Sequence, residues 1–363
     1  MRLALNAGCR LSDMEMVQFH PTGMVHPESL AGTLVTEAVR GEGGRLTNSN
    51  GERYMEKYDS VRMELSTRDR VALANYTEIS EGRGTENNGV YLDISHVDKG
   101  IILEKLPRMY RQFMESQMLD ISKHPMEVAP TAHYSMGGVM VDPETHSTGV
   151  NGLYAAGECT SGVHGANRLG GNSLAEILVF GKIAGDEASE FSKTLDLQTR
   201  NRSVIQDAIE ELDKLTTNGE QLARPLQRAV RDIMWEYCGV LRSGDGLEKG
   251  LEELMKVKEA SADVDVRPSA EGFSDLALAL DLLGSIDSAE ATIRSAIERK
   301  ESRGAHQRSD FVETDTNETV NYVVELVDGK QVLTRSTVAP LSDELEGPVK
   351  AYQELSVGGR LLE

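Results

Sequence analysis

A single arginine stands in the glycine-rich segment 164–174, which has the sequence HGANRLGGNSL. Glycines let a backbone approach a large ligand closely, and the first amides of a helix attract an anionic group. Arg168 in such a turn could bind a carboxylate through two parallel hydrogen bonds. The segment therefore indicates a point where a cofactor and an acidic substrate meet, although a tight turn with a surface arginine would give the same pattern.

Two histidines lie next to other turns. His20 ends a predicted strand directly before Pro21, which lacks an amide hydrogen and is expected to force a turn. His133 precedes the glycine pair that begins at Gly137 by four residues. Each histidine either faces a pocket or packs as a hydrogen-bonded turn residue, and the local sequence favours neither interpretation.

Charged residues near the glycines could move protons. Glu37 and Arg40 are neighbours at spacing i, i+3 if their segment is helical. They form either a surface ion pair, worth less than about 1 kcal/mol, or a proton relay that ends in the following glycine turn. Arg68 begins a predicted helix beside Asp69, where a surface salt bridge is the simplest interpretation.

The two histidines and three arginines near these turns suit a small dianion, for example a dicarboxylate, because they are cationic or donate hydrogen bonds. They include no strong nucleophile, so an organic cofactor would have to supply the chemistry. The sequence has no metal-ligand spacing, no phosphate-binding loop and no nucleophile elbow. We therefore expect a cofactor-dependent site without a metal.

Composition narrows the class of protein further. The 38 lysines and arginines against 59 acidic residues give a formal net charge of -21, which argues against nucleic acid as a partner. The three cysteines form no CxxC pair, so neither a zinc site nor a disulfide framework is indicated and a cytoplasmic compartment fits best. No apolar run is long enough to span a bilayer.

Hydrophobic periodicity predicts the elements that must position these residues. The predicted strands are 14–19, 90–94 and 152–158, and the predicted helices include 66–74 and 103–117. Ser66 or Thr67 would cap the first of these helices. The strand at 152–158 would end at Glu158, whose carboxylate could accept hydrogen bonds from a nucleotide ribose.

The chain changes character near residue 190. Apolar residues spaced by three and four predict an antiparallel helical bundle to about residue 305, with Met234, Trp235, Tyr237 and Cys238 in its core. A short β-rich tail follows, and its Asp328-Gly329 pair is a hairpin signal.

Six motifs occur in an order that resembles the flavoprotein subunit of succinate dehydrogenase and fumarate reductase. They lie at 18–23, 36–44, 68–69, 133–138, 157–158 and 166–174, and the resemblance extends to 302–306. It implies an α+β / α/β multidomain fold with four parts. These are the remainder of an FAD-binding domain (1–20 and 132–190), an inserted α+β capping domain (21–131), a helical bundle (191–305) and a β-rich tail (306–363).

The resemblance also implies how the reaction would run. Arg68 would be the proton shuttle, and Glu37 and Arg40 would relay protons to it. Arginine has an ordinary pKa above about 12, so this role requires a desolvated site whose neighbours supply the exchange.

The resemblance further implies which residues bind the ligands. His133 and Arg168 would hold one substrate carboxylate, and His20 and Thr36 would hold the other. The cofactor is FAD, with Glu158 on its ribose and the backbone of Ser173 and Leu174 facing the isoalloxazine.

The resemblance also implies partner subunits. We expect membrane anchor subunits besides an iron–sulfur subunit, with the protein peripheral on the inner face of the cell membrane. The sequence lacks the GxGxxG turn and the flavin-linking histidine with which this family opens, so a chain without the first half of the flavin domain is expected. The alternatives are L-aspartate oxidase, which shares the residue pattern, and a non-catalytic remnant.

Overall fold

Two four-stranded antiparallel sheets organise the chain. The structure, a computed structural model, describes residues 1–196, 201–216, 219–267, 274–316 and 319–357. Its strands are β1 (Leu11–Ser12), β2 (Val17–Met24), β3 (Arg45–Thr47), β4 (Val90–Asp93), β5 (Met126–Ser135), β6 (Gly138–Val139), β7 (Val320–Val327) and β8 (Lys330–Thr337). The first sheet has the order β2-β5-β4-β3, and the second has the order β6-β1-β7-β8.

Helices surround the first sheet and form a separate bundle in the C-terminal half. They are α1 (Arg2–Asn6), α2 (Ala38–Gly41), α3 (Met55–Tyr58), α4 (Arg68–Glu78), α5 (Lys99–Lys105), α6 (Pro107–Gln117), α7 (Asn172–Lys193), α8 (Arg202–Leu215), α9 (Ala223–Cys238), α10 (Gly244–Ala260), α11 (Ser274–Glu298) and α12 (Asp343–Val357). Helices α9, α10 and α11 pack on one another around Leu247, Leu254, Ile286 and Ile293. The expected helical bundle therefore has these three helices as its centre.

Strand β2 is longer than the sequence predicts. The expected turn at Pro21 is wrong, because the strand continues to Met24. The pairing with β5 shifts register between His20 and Gly23, which lets the sheet accommodate a residue that cannot donate a backbone hydrogen bond. Helix α4 packs over this irregularity, and Asn75 Nδ2 donates to the carbonyl of Pro21 at 2.8 Å. His20 is consequently buried inside a sheet and not at the end of a strand.

The predicted helix at 103–117 is two helices. Helix α5 ends at Lys105 and α6 begins at Pro107, with Leu106 in a non-helical conformation between them. Proline is favoured at the first position of a helix, where its missing amide hydrogen costs nothing, but it interrupts a helix interior. The break forms a corner above the first sheet.

Two smaller expectations were wrong, and a third was right only in the position of the residue. Residues 152–158 form no strand beyond an isolated bridge between Ser147 and Tyr154. Thr67 occupies the cap position of α4, but its side chain makes no capping hydrogen bond. Trp235 is 46% exposed and contacts the Phe19 ring edge-on, so it lies at the margin of the bundle core.

Strands from near the two ends of the described chain lie in one sheet. The hairpin β7–β8 turns at Asp328-Gly329 as the sequence predicts, with φ of 49° and 74° at the two turn residues. Strand β7 also pairs with β1, which the local sequence could not indicate. Helix α12 follows the hairpin and was not expected in a β-rich tail.

Two of the predicted domain boundaries lie within the paired strands β2 and β5. The boundaries 20/21 and 131/132 fall inside β2 and β5, where His20 pairs with Thr131. The first sheet therefore runs without interruption from the predicted flavin part into the predicted capping part.

Arg299 joins two distant segments through a buried group of ion pairs. Its guanidinium lies 2.5 Å from Glu15, 3.0 Å from Asp13 and 2.9 Å from Glu301. Glu15 is fully buried and Arg299 is 2% exposed. The group links the end of α11 to the connection between β1 and β2.

We expect Arg299→Met to lower the free energy of unfolding by about 3–5 kcal/mol, because it leaves the buried Glu15 carboxylate without its partner. Urea denaturation measures the loss. The matched control is Lys256→Met, which removes an exposed cation that pairs with Glu252 and Glu253, and its loss should stay below about 1 kcal/mol. Equal losses in the two variants would contradict the importance of the buried group.

Candidate functional site

A cleft of about 500 Å³ opens between β2, the start of α4 and the corner between α5 and α6. Its lining includes most of the residues that the sequence singled out for chemistry, and it adds a basic and apolar wall from the corner. The lining residues are His20, Leu34, Thr36, Glu37, Ala38, Arg68, Lys105, Leu106, Pro107, Arg108, Met109 and His133.

Arg68 and Glu37 form the charged side of the cleft. Arg68 is the first residue of α4, and its Nε and Nη2 lie 2.9 and 2.8 Å from the same carboxylate oxygen of Glu37. Its Nη1 is buried and has no hydrogen-bond partner among the described residues. The Glu37 side chain is 49% exposed, so this pair connects a partly desolvated guanidinium to solvent.

Arg40 lies behind this pair and does not line the cleft. It sits on α2 one turn after Glu37, as the helical spacing predicts, with its Nη2 3.9 Å from the Glu37 carboxylate. Arg40 is 2% exposed, and it donates to the backbone carbonyl of Glu64. Burial lowers the pKa of Arg40, and the nearby Arg68 lowers it further.

His20 and His133 face each other across the paired strands β2 and β5. Their ring centroids are 5.3 Å apart and the rings are nearly perpendicular. The backbone N–H of Thr22 donates to His20 Nδ1 at 3.2 Å, so a neutral ring carries its proton on Nε2. Burial, together with the charges of Arg68, His133 and Arg40, lowers the pKa of His20 to about 3. At neutral pH His20 is therefore an uncharged hydrogen-bond donor.

Arg168 lies beside His133 and is 4% exposed. Its Nη2 is 3.1 Å from both His133 Nε2 and Gln18 Oε1, and its Nη1 is 3.4 Å from Ser173 Oγ. Its Nε is buried without a partner, and in the part of the chain that the structure describes it forms no ion pair. Burial lowers the pKa of Arg168, as it does for His133. Arg168 is thus a buried guanidinium that no carboxylate of the described residues neutralises.

Gln18 is a residue that the sequence analysis did not single out. It is fully buried in β2, and its Nε2 donates to Asn167 Oδ1 and to the Arg168 carbonyl at 2.7 and 2.6 Å. Because its Oε1 also accepts from Arg168, one side chain fixes both the backbone and the guanidinium of the glycine-rich turn. Its position two residues before His20 on the same strand could have identified it as a site residue.

Lys105 and Arg108 were also missed. Both line the cleft from the corner between α5 and α6, and both are exposed. The leucine–proline pair between them is the signal that could have predicted the break and hence the corner. Thr36 was anticipated, and its Oγ1 accepts weakly from the Ala38 amide at 3.4 Å.

The residues expected near a cofactor lie around the start of α7. Glu158 is exposed and accepts from the Ser135 amide at 3.1 Å. Helix α7 begins after Gly171, whose φ of +85° favours glycine and whose position leaves the first amides without a side-chain cap. Leu174 is 67% exposed. An open carboxylate, uncapped helix amides and exposed apolar surface fit a flat dinucleotide such as FAD.

Neither a metal-ligand cluster nor a membrane-spanning helix occurs in the part of the chain that the structure describes. Among these residues, no three histidine, cysteine or acidic side chains are grouped closely enough to hold a metal ion. In the same residues, no helix is both long and apolar enough to cross a bilayer.

Two family models match the chain. One, described as an FAD binding domain, covers residues 1–174. The other, described as the C-terminal part of the fumarate reductase flavoprotein, covers residues 227–348. The order of the two models agrees with the order of the flavin and helical parts, and FAD is the cofactor of the matched domain.

Curated relatives extend the likeness across most of the chain. A fumarate reductase (CoM/CoB) subunit of Methanothermobacter marburgensis is 49% identical over 313 residues, which are 86% of this chain and 56% of that protein. The succinate dehydrogenase flavoprotein subunit of Rickettsia bellii is 37% identical over 367 residues, which are 95% of this chain and 60% of that protein. The chain therefore spans somewhat more than half the length of these relatives.

A solved structure agrees with the sequence comparisons. The FrdA chain of a mutant E. coli quinol fumarate reductase superposes with a TM-score of 0.86 at 35% identity, covering 96% of this chain and 63% of that one. The expected fold class, mixed helix and sheet in several domains, is confirmed. The chain belongs to the family of succinate dehydrogenase and fumarate reductase flavoprotein subunits.

Proposed function

We propose that the protein interconverts succinate and fumarate. The observation that carries the proposal is a pair of guanidinium groups, one lining the cleft and one next to it. Among the described residues, Arg68 in the cleft has one nitrogen unpaired, and Arg168, which contacts the lining residue His133, has no carboxylate partner. A buried guanidinium without a counter-ion favours an anion strongly, because its charge is only weakly screened by water. FAD, when bound, would exchange a hydride with the substrate carbon.

The substrate would be held at both carboxylates. Arg168 and His133 would bind one of them, through a guanidinium that already carries a hydrogen bond to the imidazole. His20 and Thr36 would bind the other as neutral donors, since the lowered pKa of His20 removes its charge. Two anchors at opposite ends fix the carbon chain between them, which is how positioning accelerates a reaction.

Arg68 would give and take the proton. In water, arginine is a poor acid because its pKa lies above about 12. In the cleft its Nη1 is desolvated and without a partner, so a proton leaving that atom has no competing acceptor among the described residues. Glu37 contacts the same guanidinium from the solvent side and would return the proton. Arg40, whose Nη2 lies 3.9 Å from the Glu37 carboxylate, would be the further member of the same proton relay.

The residues that would hold FAD are Glu158 and the first residues of α7. Glu158 would accept hydrogen bonds from the ribose, and the backbone of Ser173 and Leu174 would face the isoalloxazine. Ser173 also contacts the Arg168 guanidinium, so the flavin and the substrate would share one turn of the chain.

Electron transfer would require partners. The relatives are named as subunits, and the solved neighbour is a chain of a quinol fumarate reductase. We accordingly propose that the direct partner is an iron–sulfur subunit, with membrane anchor subunits beyond it and the protein peripheral on the inner face of the cell membrane.

The first test is the substrate itself. Flavin-loaded protein containing this chain should reduce an artificial dye with succinate, and reduced dye should be consumed with fumarate. Absorbance of the dye measures both. Dye reduction with L-aspartate but not with succinate would contradict the proposal and would favour the alternative amino-acid oxidase.

We expect Arg68→Gln to lower turnover by at least about 10³-fold, since the proton donor of the reaction is lost. Binding of fumarate, measured by the change in flavin absorbance, should persist. Arg70→Gln is the matched control, because Arg70 lies on the same helix, is 63% exposed and pairs with Asp59 at 3.5 Å. The role of Arg68 would be excluded if its variant turned over as fast as the control.

A pH titration tests the buried state of His20. Its pKa is about 3 in the folded protein and about 6.5 in an unfolded chain, so protonation favours unfolding. Its contribution to stability is present above pH 6.5 and is lost as the pH falls towards 3. Between pH 6.5 and 4.5, the wild type should lose up to about 1.4 kcal/mol per pH unit more than His20→Gln. Parallel urea-denaturation profiles would show that His20 is not buried in its neutral form.

A further inference from the structure

A buried cluster around Tyr134, the neighbour of His133 on β5, is not used by the proposed reaction. Glu176, on α7, is 3% exposed and accepts from the hydroxyl of Tyr134 at 2.5 Å. His164 Nε2 lies 2.9 Å from the same carboxylate oxygen. Tyr134 is 5% exposed and belongs to β5, next to His133. Three segments of the chain therefore converge on one tyrosine hydroxyl and one carboxylate.

The ring of Tyr134 supports Arg168. The guanidinium carbon of Arg168 lies 4.2 Å from the centroid of the Tyr134 ring. A cation over the face of an aromatic ring is attracted by the negative potential of that face. The remaining contacts of Arg168 among the described residues are to Gln18, Ser173, His133 and its own turn, and none of them is a carboxylate.

Support of Arg168 by an aromatic ring, and not by a carboxylate, leaves the guanidinium able to bind a substrate. A carboxylate in direct contact would hold the arginine equally well, but it would occupy the N–H groups that a substrate carboxylate needs. A ring face leaves those N–H groups in place and does not cancel the charge. Glu176 is kept one hydrogen bond away from Arg168, with the tyrosine between them.

We infer that Tyr134, fixed by Glu176 and His164, is the positioning residue for the substrate-binding Arg168. The inference rests on the proposed function, because it assigns a task to Arg168. Burial and the hydrogen bond to Glu176 raise the pKa of Tyr134, so the hydroxyl keeps its proton and keeps donating. Tyr134 does not touch the reacting atoms and acts only through Arg168.

The chain contains a matched comparison. Arg299 lies over the ring of Tyr322 at 4.6 Å, so the stacking is similar. Arg299, however, is neutralised by Asp13, Glu15 and Glu301, and its N–H groups point to those carboxylates. A tyrosine in a similar stack thus serves stability at one place and, by this inference, ligand binding at the other.

The experiment measures the dissociation constant of malonate, an unreactive dicarboxylate, by calorimetry on the flavin-loaded protein, together with KM and kcat for succinate. Tyr134→Leu removes the ring and should raise both the dissociation constant and KM about tenfold, while kcat changes less than about threefold. Tyr134→Phe keeps the ring but frees it from Glu176, and should raise both by about threefold. Glu176→Gln should match Tyr134→Phe.

Tyr322→Leu and Tyr322→Phe are the controls. They should lower the thermal midpoint and leave the dissociation constant of malonate unchanged. An unchanged dissociation constant in Tyr134→Phe and Glu176→Gln, or an equal rise in the Tyr322 variants, would overturn the inference while leaving the proposed function intact. If the wild type itself bound no malonate and oxidised no succinate, the proposed function would fail and the inference with it.

Discussion

The site depends on a buried guanidinium that the protein itself does not neutralise. Arg168 is 4% exposed and, among the described residues, its partners are neutral: an amide, a hydroxyl, an imidazole, a carbonyl and an aromatic face. Burying a charge without a counter-ion is costly, and an anionic ligand removes that cost. The rest of the cleft is arranged so that the ligand, and no described residue of the chain, supplies the missing charge.

Two features of the fold make this arrangement possible. The pairing of β2 with β5 brings His20 beside His133 and presents Gln18 to the turn that carries Arg168. The corner between α5 and α6 closes the cleft from the opposite side with Lys105 and Arg108. Arg68, on α4, is paired with the half-exposed Glu37, so the two arginines of the site have different electrostatic surroundings. One is prepared to bind an anion and the other to exchange a proton.

Residue types and spacing predicted the chemistry of the site better than they predicted the fold that surrounds it. One cleft is lined by His20, Glu37, Arg68 and His133, and Arg40 and Arg168 lie next to these residues. The i, i+3 relation of Glu37 and Arg40 follows from local helix geometry. The continuation of β2 through Pro21 was missed because a register shift in the partner strand, which local sequence does not encode, tolerates the proline. The pairing of β1 with β7 joins residues more than 300 positions apart, and no periodicity reports such a contact.

The most direct test of the account is a comparison of two ligands of equal chain length, one of which has a methyl group in place of one carboxylate. Calorimetric titration of the flavin-loaded protein with succinate and with butyrate, which lacks the second carboxylate, isolates the contribution of one anchor. We expect succinate to bind at least about a hundredfold more tightly, since each lost anchor leaves buried donors unpaired. Equal affinities would contradict the claim that the site binds the substrate through both of its carboxylates.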